Sequence, residues 1–454
     1  MSVSAPPPGW PAGRGAWPWT WPSGSWHRSR LILRNIATSS SIPGAEAVAL
    51  KSPHTPPHIL IVAGEASGDM HGANLARALR RQAPGVRLSA MGGGALAGEG
   101  VELVYESSRL AVVGLVEVLS HLGEIRQALG CLRAFLRRQR PGLLILIDFP
   151  DFNLLLAREA RKLGIPVFYY ISPQVWAWRR GRVRTIRRLV NKMAVILPFE
   201  QEFYQKHGVA VEFVGHPLLD EMSDWAGGQG EELPAPVGTI DDPAAGPQAG
   251  AVGGRRPLIG LLPGSRRREI AVLLPLFLAA ARQLAAELPI APRFLLPLAP
   301  GLKAEQLAAH GLSQAHDLTI EVTTAGRHRA MAACDAAMAA SGTVTLELAI
   351  LNVPQVMAYK LSPLTYLLGR WLVKLPHATL VNLVAGREVI PELLQSQATP
   401  ANICRHLLPL LTETPARAQM LAGLAQVRAR LGTPGASHRA AAAALRLVRE
   451  RRTE

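Results

Sequence analysis

The sequence predicts a doubly wound α/β protein: two Rossmann-like halves facing a cleft, followed by a helical C-terminal tail. Three observations carry this. From His58 onward, short continuous apolar runs alternate with helical stretches, the pattern of a parallel sheet covered on both faces. Residues 224–256 break into a Gly/Pro-rich stretch without periodicity, after which the alternation restarts. A length of 454 residues exceeds one typical domain, and 48% hydrophobic against 18% charged residues supplies cores of ordinary size. The expected organisation is an extension over 1–57, a first half over 58–223, a linker or insertion over 224–256, a second half over 257–412, and C-terminal helices over 413–454.

Taken in order, residues 1–57 hold Trp10, Trp17, Trp19, Trp21 and Trp26 among Pro, Gly and Ser, with neither helical nor strand period. A disordered extension or an upstream start codon is expected there, a transit peptide being the alternative. Strands are expected at Ile59–Ala63, Val86–Ala90, Val101–Val104, Leu143–Ile147, Pro166–Ile171, Ala194–Leu197 and Val211–Val214. Helices are expected near Gly72–Arg81, Val113–Arg138 and Asn153–Leu163, with a basic helix over Arg179–Lys192. The second half repeats the pattern, with strands at Leu258–Leu262, Phe294–Pro297, Leu318–Val322, Ala336–Ala339 and Pro354–Ala358. The tail from about Thr399 reads as helical, with breaks near Pro415 and Pro434.

Composition narrows the partners. Lys plus Arg is 49 against 33 Asp plus Glu, a net charge of +16 that favours nucleic acid, an anionic membrane surface or phosphorylated small molecules. Cys131, Cys334 and Cys404 are too few and too widely spaced for a disulfide framework or a zinc site, which points to a reducing, cytoplasmic setting. The longest apolar run, Ile270–Ala281, spans 12 residues and contains Pro275, so a peripheral rather than an integral membrane protein is expected.

Ligands of open α/β sheets bind beyond the carboxyl ends of the strands, and that rule selects the candidate residues. Gly64-Glu65-Ala66-Ser67-Gly68-Asp69 follows the first strand. It reads either as a ligand loop, with Ser67 and Asp69 as hydrogen-bonding or capping groups, or as a plain β–α turn. Met91-Gly92-Gly93-Gly94-Ala95-Leu96-Ala97 is a weak dinucleotide fingerprint at the wrong strand. Asp148-Phe149-Pro150-Asp151-Phe152-Asn153 ends the fourth strand. There Asp148 is the favoured general base, while Asp151 also fits the N-cap of the next helix. Gly264-Ser265-Arg266 opens a helix in the second half and offers N–H groups, a positive dipole end and a guanidinium fork to a phosphate or diphosphate. Ser341-Gly342-Thr343 does the same after another strand, and Glu347 lies where a carboxylate reaches ribose hydroxyls or complements the helix dipole. Arg179, Arg180, Arg182, Arg184, Arg187, Arg188 and Lys192 form a run without an acid. It is read as a solvated face or as a surface for anionic lipid, phosphorylated substrate or nucleic acid. Val113, Val116, Leu119 and Leu122 are either an ordinary core helix or a patch that dips into a headgroup boundary.

These motifs, with Ser172-Pro-Gln-Val-Trp-Ala-Trp178, Gly215-His216-Pro217, Leu380-Val-Asn-Leu383, Gly386-Arg-Glu388 and Pro391-Glu-Leu-Leu-Gln395, collectively resemble the lipid-A-disaccharide synthase family in collinear order over about residues 58–430. The resemblance implies a GT-B glycosyltransferase. Such an enzyme joins UDP-2,3-diacylglucosamine to 2,3-diacylglucosamine 1-phosphate, giving a β-1,6-linked disaccharide 1-phosphate and UDP at the cytoplasmic face of the inner membrane of Gram-negative bacteria. It makes Asp148 the catalytic aspartate and places Arg266 and Glu347 in the UDP site. Glu65, Ser67, Asp69, Asp151, Asn153 and His216 are expected to line the cleft. With no Asp-x-Asp motif, no metal and no cofactor are expected. The partners implied are a UDP-sugar lipid donor, a phosphorylated lipid acceptor and anionic membrane. Nucleic acid is not expected, and a homodimer is left open. The alternatives are a UDP-sugar 2-epimerase of the same fold and a basic RNA-binding protein.

Overall fold

Seven parallel strands form the first sheet in the order β3-β2-β1-β4-β5-β6-β7. They are β1 (His58–Ala63), β2 (Arg87–Gly92), β3 (Glu102–Glu106), β4 (Leu143–Ile147), β5 (Val167–Tyr170), β6 (Lys192–Val195) and β7 (Val211–Phe213). The computed structural model describes residues 56–107, 122–223, 256–299, 301–324, 326–362, 366 and 375–453. Residues 1–55, the 224–255 segment, and Val113, Val116 and Leu119 of the expected apolar patch lie outside the described residues; Leu122 opens the helix Leu122–Gln139.

Continuous apolar strands are explained by burial on two sides. Ile59, Ile61, Leu143, Ile145, Ile147, Phe168 and Tyr170 face one core, against the helix Ala66–Gln82. Leu60, Val62, Leu144, Leu146, Val167 and Tyr169 face the other, against the helices Leu122–Gln139 and Pro150–Lys162. Alternate side chains point to opposite faces, so a strand buried on both must be apolar throughout.

Six further parallel strands form the second sheet, in the order β10-β9-β8-β11-β12-β13. They are β8 (Leu258–Leu262), β9 (Arg293–Pro297), β10 (Ile320–Thr323), β11 (Ala336–Ala339), β12 (Gln355–Tyr359) and β13 (Glu392–Leu394). The helix Arg267–Glu287 is long and apolar enough to cross a membrane. Ile270, Leu273, Leu274, Phe277, Leu278, Ala281 and Leu284 are, however, buried in the second sheet's core, so its apolar side is already used. Both sheets lie within one unit, Thr55–Glu454.

The tail is helical, as expected. The breaks fall where expected: residues 411–414 and 431–435 separate the helices, and Pro415 opens the helix Pro415–Arg430, as suits a residue without an N–H at the first helical position. The last helix, Ala436–Thr453, returns to the first sheet and packs on Ala66–Gln82. Asp220 fixes its start by accepting from the N–H groups of Gly435 (2.5 Å), Ala436 (3.1 Å) and Ser437 (3.1 Å).

Three expectations need correction, and one strand was missed. The first helix begins at Ala66, so Ser67 and Asp69 are helical rather than loop residues. The helix after β4 begins at Pro150 with Phe149 as its N-cap, so Asp151 is not the cap. Lys192 lies in β6, and the basic helix is Val183–Leu189. Strand β13 was not anticipated.

Candidate active site

Each sheet reverses its strand order once. In the first sheet the reversal lies between β1 and β4, where Ala63 pairs with Ile147. The Gly64-Glu65 turn and Asp148 therefore emerge side by side. Asp148 and Phe149 are both left-handed, with φ of 43°. A bulky residue rarely adopts that conformation, and two in succession mark a strained turn. Gly64 makes room for it, because a Cβ there would collide with the Phe149 ring. The Asp148 carboxyl is pushed up to about 6 by burial first and by the charge of Glu65 second, with a hydrogen bond from the Phe149 N–H opposing. A carboxylate poised near neutrality at a strand mouth has the character of a general base.

The other expected cleft residues divide. Glu65 and Ser67 are exposed, and the Glu65 charge acts on Asp148. Asp69 is buried and accepts from the N–H groups of Gly93 (2.6 Å), Ala95 (2.8 Å) and Leu96 (3.3 Å). Its carboxylate thereby occupies the start of the helix Gly94–Gly98, which accounts for the glycine run without a dinucleotide. Asp151 is exposed and pairs with Arg179 and Arg182. Lys192 pairs with Glu212 (3.3 Å), so part of the basic run is neutralised by acids distant in sequence. Asn153 is fully buried and donates to the carbonyls of Ile147 (3.1 Å) and Asp148 (2.7 Å). His216 is also buried. Its Nδ1 accepts from the Leu218 N–H at 3.2 Å, and burial first, then the nearby His71, holds the ring neutral with a pKa of about 3. Its own N–H donates to Leu431 O at 3.0 Å, so the Gly215-His216-Pro217 segment meets the returning tail.

The second sheet reverses between β8 and β11, where Ala339 pairs with Leu262. The Gly264–Arg266 and Ser341–Thr343 turns are thereby neighbours. Gly264 has φ 103°, and a Cβ would lie 2.5 Å from Glu269 Oε2, so only glycine fits. Glu269 folds back to accept from the Arg266 N–H (3.4 Å) and guanidinium (3.3 Å), with Tyr359 Oη donating to it at 3.5 Å. Gly342 is the N-cap of the helix Thr343–Ile350, and Thr345 Oγ1 closes on the Gly342 carbonyl at 2.8 Å.

Glu347 is buried, with Arg327 paired to its carboxylate and His328 Nε2 at 3.6 Å. Burial raises its pKa, but the hydrogen bond from His328 and the charge of Arg327 outweigh that, and the net direction is downward. Arg327 and His328 were missed from the sequence. They open the helix Arg327–Ala332 just beyond β10, and position at a strand's carboxyl end was the available signal. Glu347 and His328 also act on Glu221, in the short helix Leu218–Glu221 after β7. Glu221, 3.8 Å from His71, has its carboxyl raised by burial first and by Glu347 second, with His328 opposing.

With that geometry in place, relatives decide the family. The family profile described as lipid-A-disaccharide synthetase matches residues 59–445. The lipid-A-disaccharide synthase of Geobacter sulfurreducens is 46% identical over 395 residues, covering 87% of this chain and 98% of that protein. The chain belongs to the lipid-A-disaccharide synthase family. It is a glycosyltransferase of lipid A biosynthesis, with a UDP-sugar donor and a lipid acceptor. The Nitrosococcus oceani synthase is likewise 46% identical, over 83% of this chain and 92% of that protein. Solved structures show the shared fold at low identity. The glycosyltransferase of kitacinnamycin aligns with a TM-score of 0.55 at 17% identity, over 87% of this chain and 99% of that one. UDP-GlcNAc 2-epimerase from Neisseria meningitidis, bound to UDP-GlcNAc, aligns at 0.57 and 12% identity, over 86% of this chain and 100% of that one. Those likenesses support the GT-B architecture alone; activity follows from the synthase family.

Proposed function

We propose that this synthase works by a single inverting displacement with Asp148 as general base. Asp148 takes the proton from the acceptor 6-hydroxyl as that oxygen attacks the anomeric carbon of UDP-2,3-diacylglucosamine. Charge then grows on the departing UDP, and Arg266 with the N–H groups of the Gly264–Arg266 and Ser341–Thr343 turns stabilises it. Glu347, held by Arg327 and His328, orients the ribose. The half over 58–223 takes the acceptor and the half over 257–412 takes the UDP-sugar.

The observation that carries this reading is Asp148 at the first switch point, with its carboxyl raised to about 6 by burial and by Glu65. UDP release from the donor, measured with and without 2,3-diacylglucosamine 1-phosphate, tests it. Release that ignores the acceptor contradicts transfer.

Peripheral contact with anionic membrane is part of the proposal, because both substrates carry acyl chains. Arg184, Arg187, Arg188, Lys206 and His207 line one surface cavity of about 540 Å³, and in this reading it seats lipid phosphate. Cosedimentation with anionic and neutral liposomes at rising salt tests this, and equal binding to both contradicts it.

A further inference from the structure

The strained turn that carries Asp148 is held from behind. Leu146 of β4 pairs with Tyr169 of β5, which places the Tyr169 side chain beneath the turn. The Tyr169 hydroxyl donates to the Asp148 carbonyl at 2.5 Å, and the Asn153 amide donates to the same oxygen at 2.7 Å. Both side chains are fully buried. One carbonyl oxygen thus has both acceptor sites filled by side chains from two different elements. Pinning this carbonyl fixes ψ of Asp148 and so holds the strained left-handed turn from which its side chain projects.

We infer that Tyr169 and Asn153 are positioning residues for Asp148: they lock its carbonyl so that the carboxylate is presented to the acceptor hydroxyl. The inference rests on the reading of Asp148 as base. Neither residue touches substrate in this account; both act through the left-handed turn. A near-attack geometry tolerates little displacement, so loosening the turn lowers the chemical step while leaving nucleotide binding alone.

The experiment is a double-mutant cycle in turnover, run on the full chain with Tyr169→Phe and Asp148→Asn. Tyr169→Phe removes one donor and leaves the ring's packing. Losing one hydrogen bond's worth of orientation lowers kcat by roughly 3- to 10-fold. The KM for the UDP-sugar and the Kd for UDP stay at wild-type values. In the Asp148→Asn background the same substitution changes residual turnover by less than about twofold, because the group being positioned is already gone. Wild-type kcat in Tyr169→Phe, or an equal loss in both backgrounds, overturns the inference, since a merely structural role lowers both alike. Near-wild-type turnover in Asp148→Asn alone overturns the base reading and with it the inference. The same cycle with Asn153→Ala decides the matter from the other donor should Tyr169→Phe fail to fold.

Discussion

Asp148 titrates near neutrality, and its titration governs two observables of opposite sign. As the proposed base it works ionised, so kcat/KM is expected to fall as pH drops through about 6. Glu65→Gln removes the neighbouring charge that raises this carboxyl, so the acid limb moves to lower pH; a limb that stays in place removes Glu65 from the electrostatics. Stability runs the other way. A carboxyl raised from 3.8 to about 6 on folding contributes stability that is fully present below about pH 4 and is lost as pH rises through 6. Asp148→Asn therefore costs roughly 10²–10⁴-fold in turnover. It also gains on the order of 2–3 kcal/mol in urea unfolding at pH 7.5, a gain that vanishes near pH 4. Equal stability of the two proteins at pH 7.5 contradicts the raised pKa. On the donor side, Arg266→Ala weakens UDP binding and turnover together, and Arg266→Lys restores only part, because a lysine lacks the fork. Unchanged UDP binding in Arg266→Ala by calorimetry contradicts the anion site. The placement of Asp148, Gly264 and Arg266 just beyond strand ends was legible in sequence, because the apolar runs before them mark where β4 and β8 stop. Arg327 and His328 were not, since what identifies them is a side-chain contact with Glu347, 20 and 19 positions further along the chain.

At the scale of elements, the strands read correctly because burial on both faces forces uninterrupted apolar runs, as in Leu143–Ile147 and Ala336–Ala339. Helix starts read less well. Ala66–Asp69 and Pro150–Asn153 look like polar turns, yet tertiary contacts such as Asp69 to Gly93 use those polar groups within helices. Strand β13 escaped because it has three residues after Pro391, too short to show a period. The Ser172–Trp178 segment, which leaves β5 next to the Asp148 turn, depends on one carboxylate. Glu200 accepts from the Ser172 hydroxyl (2.6 Å), the Trp176 indole N–H (2.9 Å) and the Leu197 N–H (3.1 Å). Burial pushes this carboxyl up to about 7, against those hydrogen bonds. Glu200→Ala orphans three buried donors and is expected to cost about 3 kcal/mol or more, read as a lower urea midpoint at unchanged m. A midpoint within error of wild type contradicts that role.

For the whole molecule, the link between the sheets was the least legible feature. Asp220 and Gly435 are 215 residues apart, and no local pattern announces that one caps the other's helix. Asp220→Ala frees the first N–H groups of Ala436–Thr453 and is expected to cost about 1–2 kcal/mol. The loss is read as faster amide exchange in that helix and in Ala66–Gln82, on which it packs; unchanged protection there contradicts the link. In the proposed reaction the two switch points, one carrying Asp148 and the other Arg266, act as the halves of one transfer. The most direct test measures UDP and disaccharide together from UDP-2,3-diacylglucosamine, with and without 2,3-diacylglucosamine 1-phosphate, in wild type and Asp148→Asn. The account predicts acceptor-dependent, equimolar UDP and disaccharide in wild type and a loss of roughly 10²–10⁴-fold in the variant. UDP release without acceptor, or turnover preserved in Asp148→Asn, contradicts it.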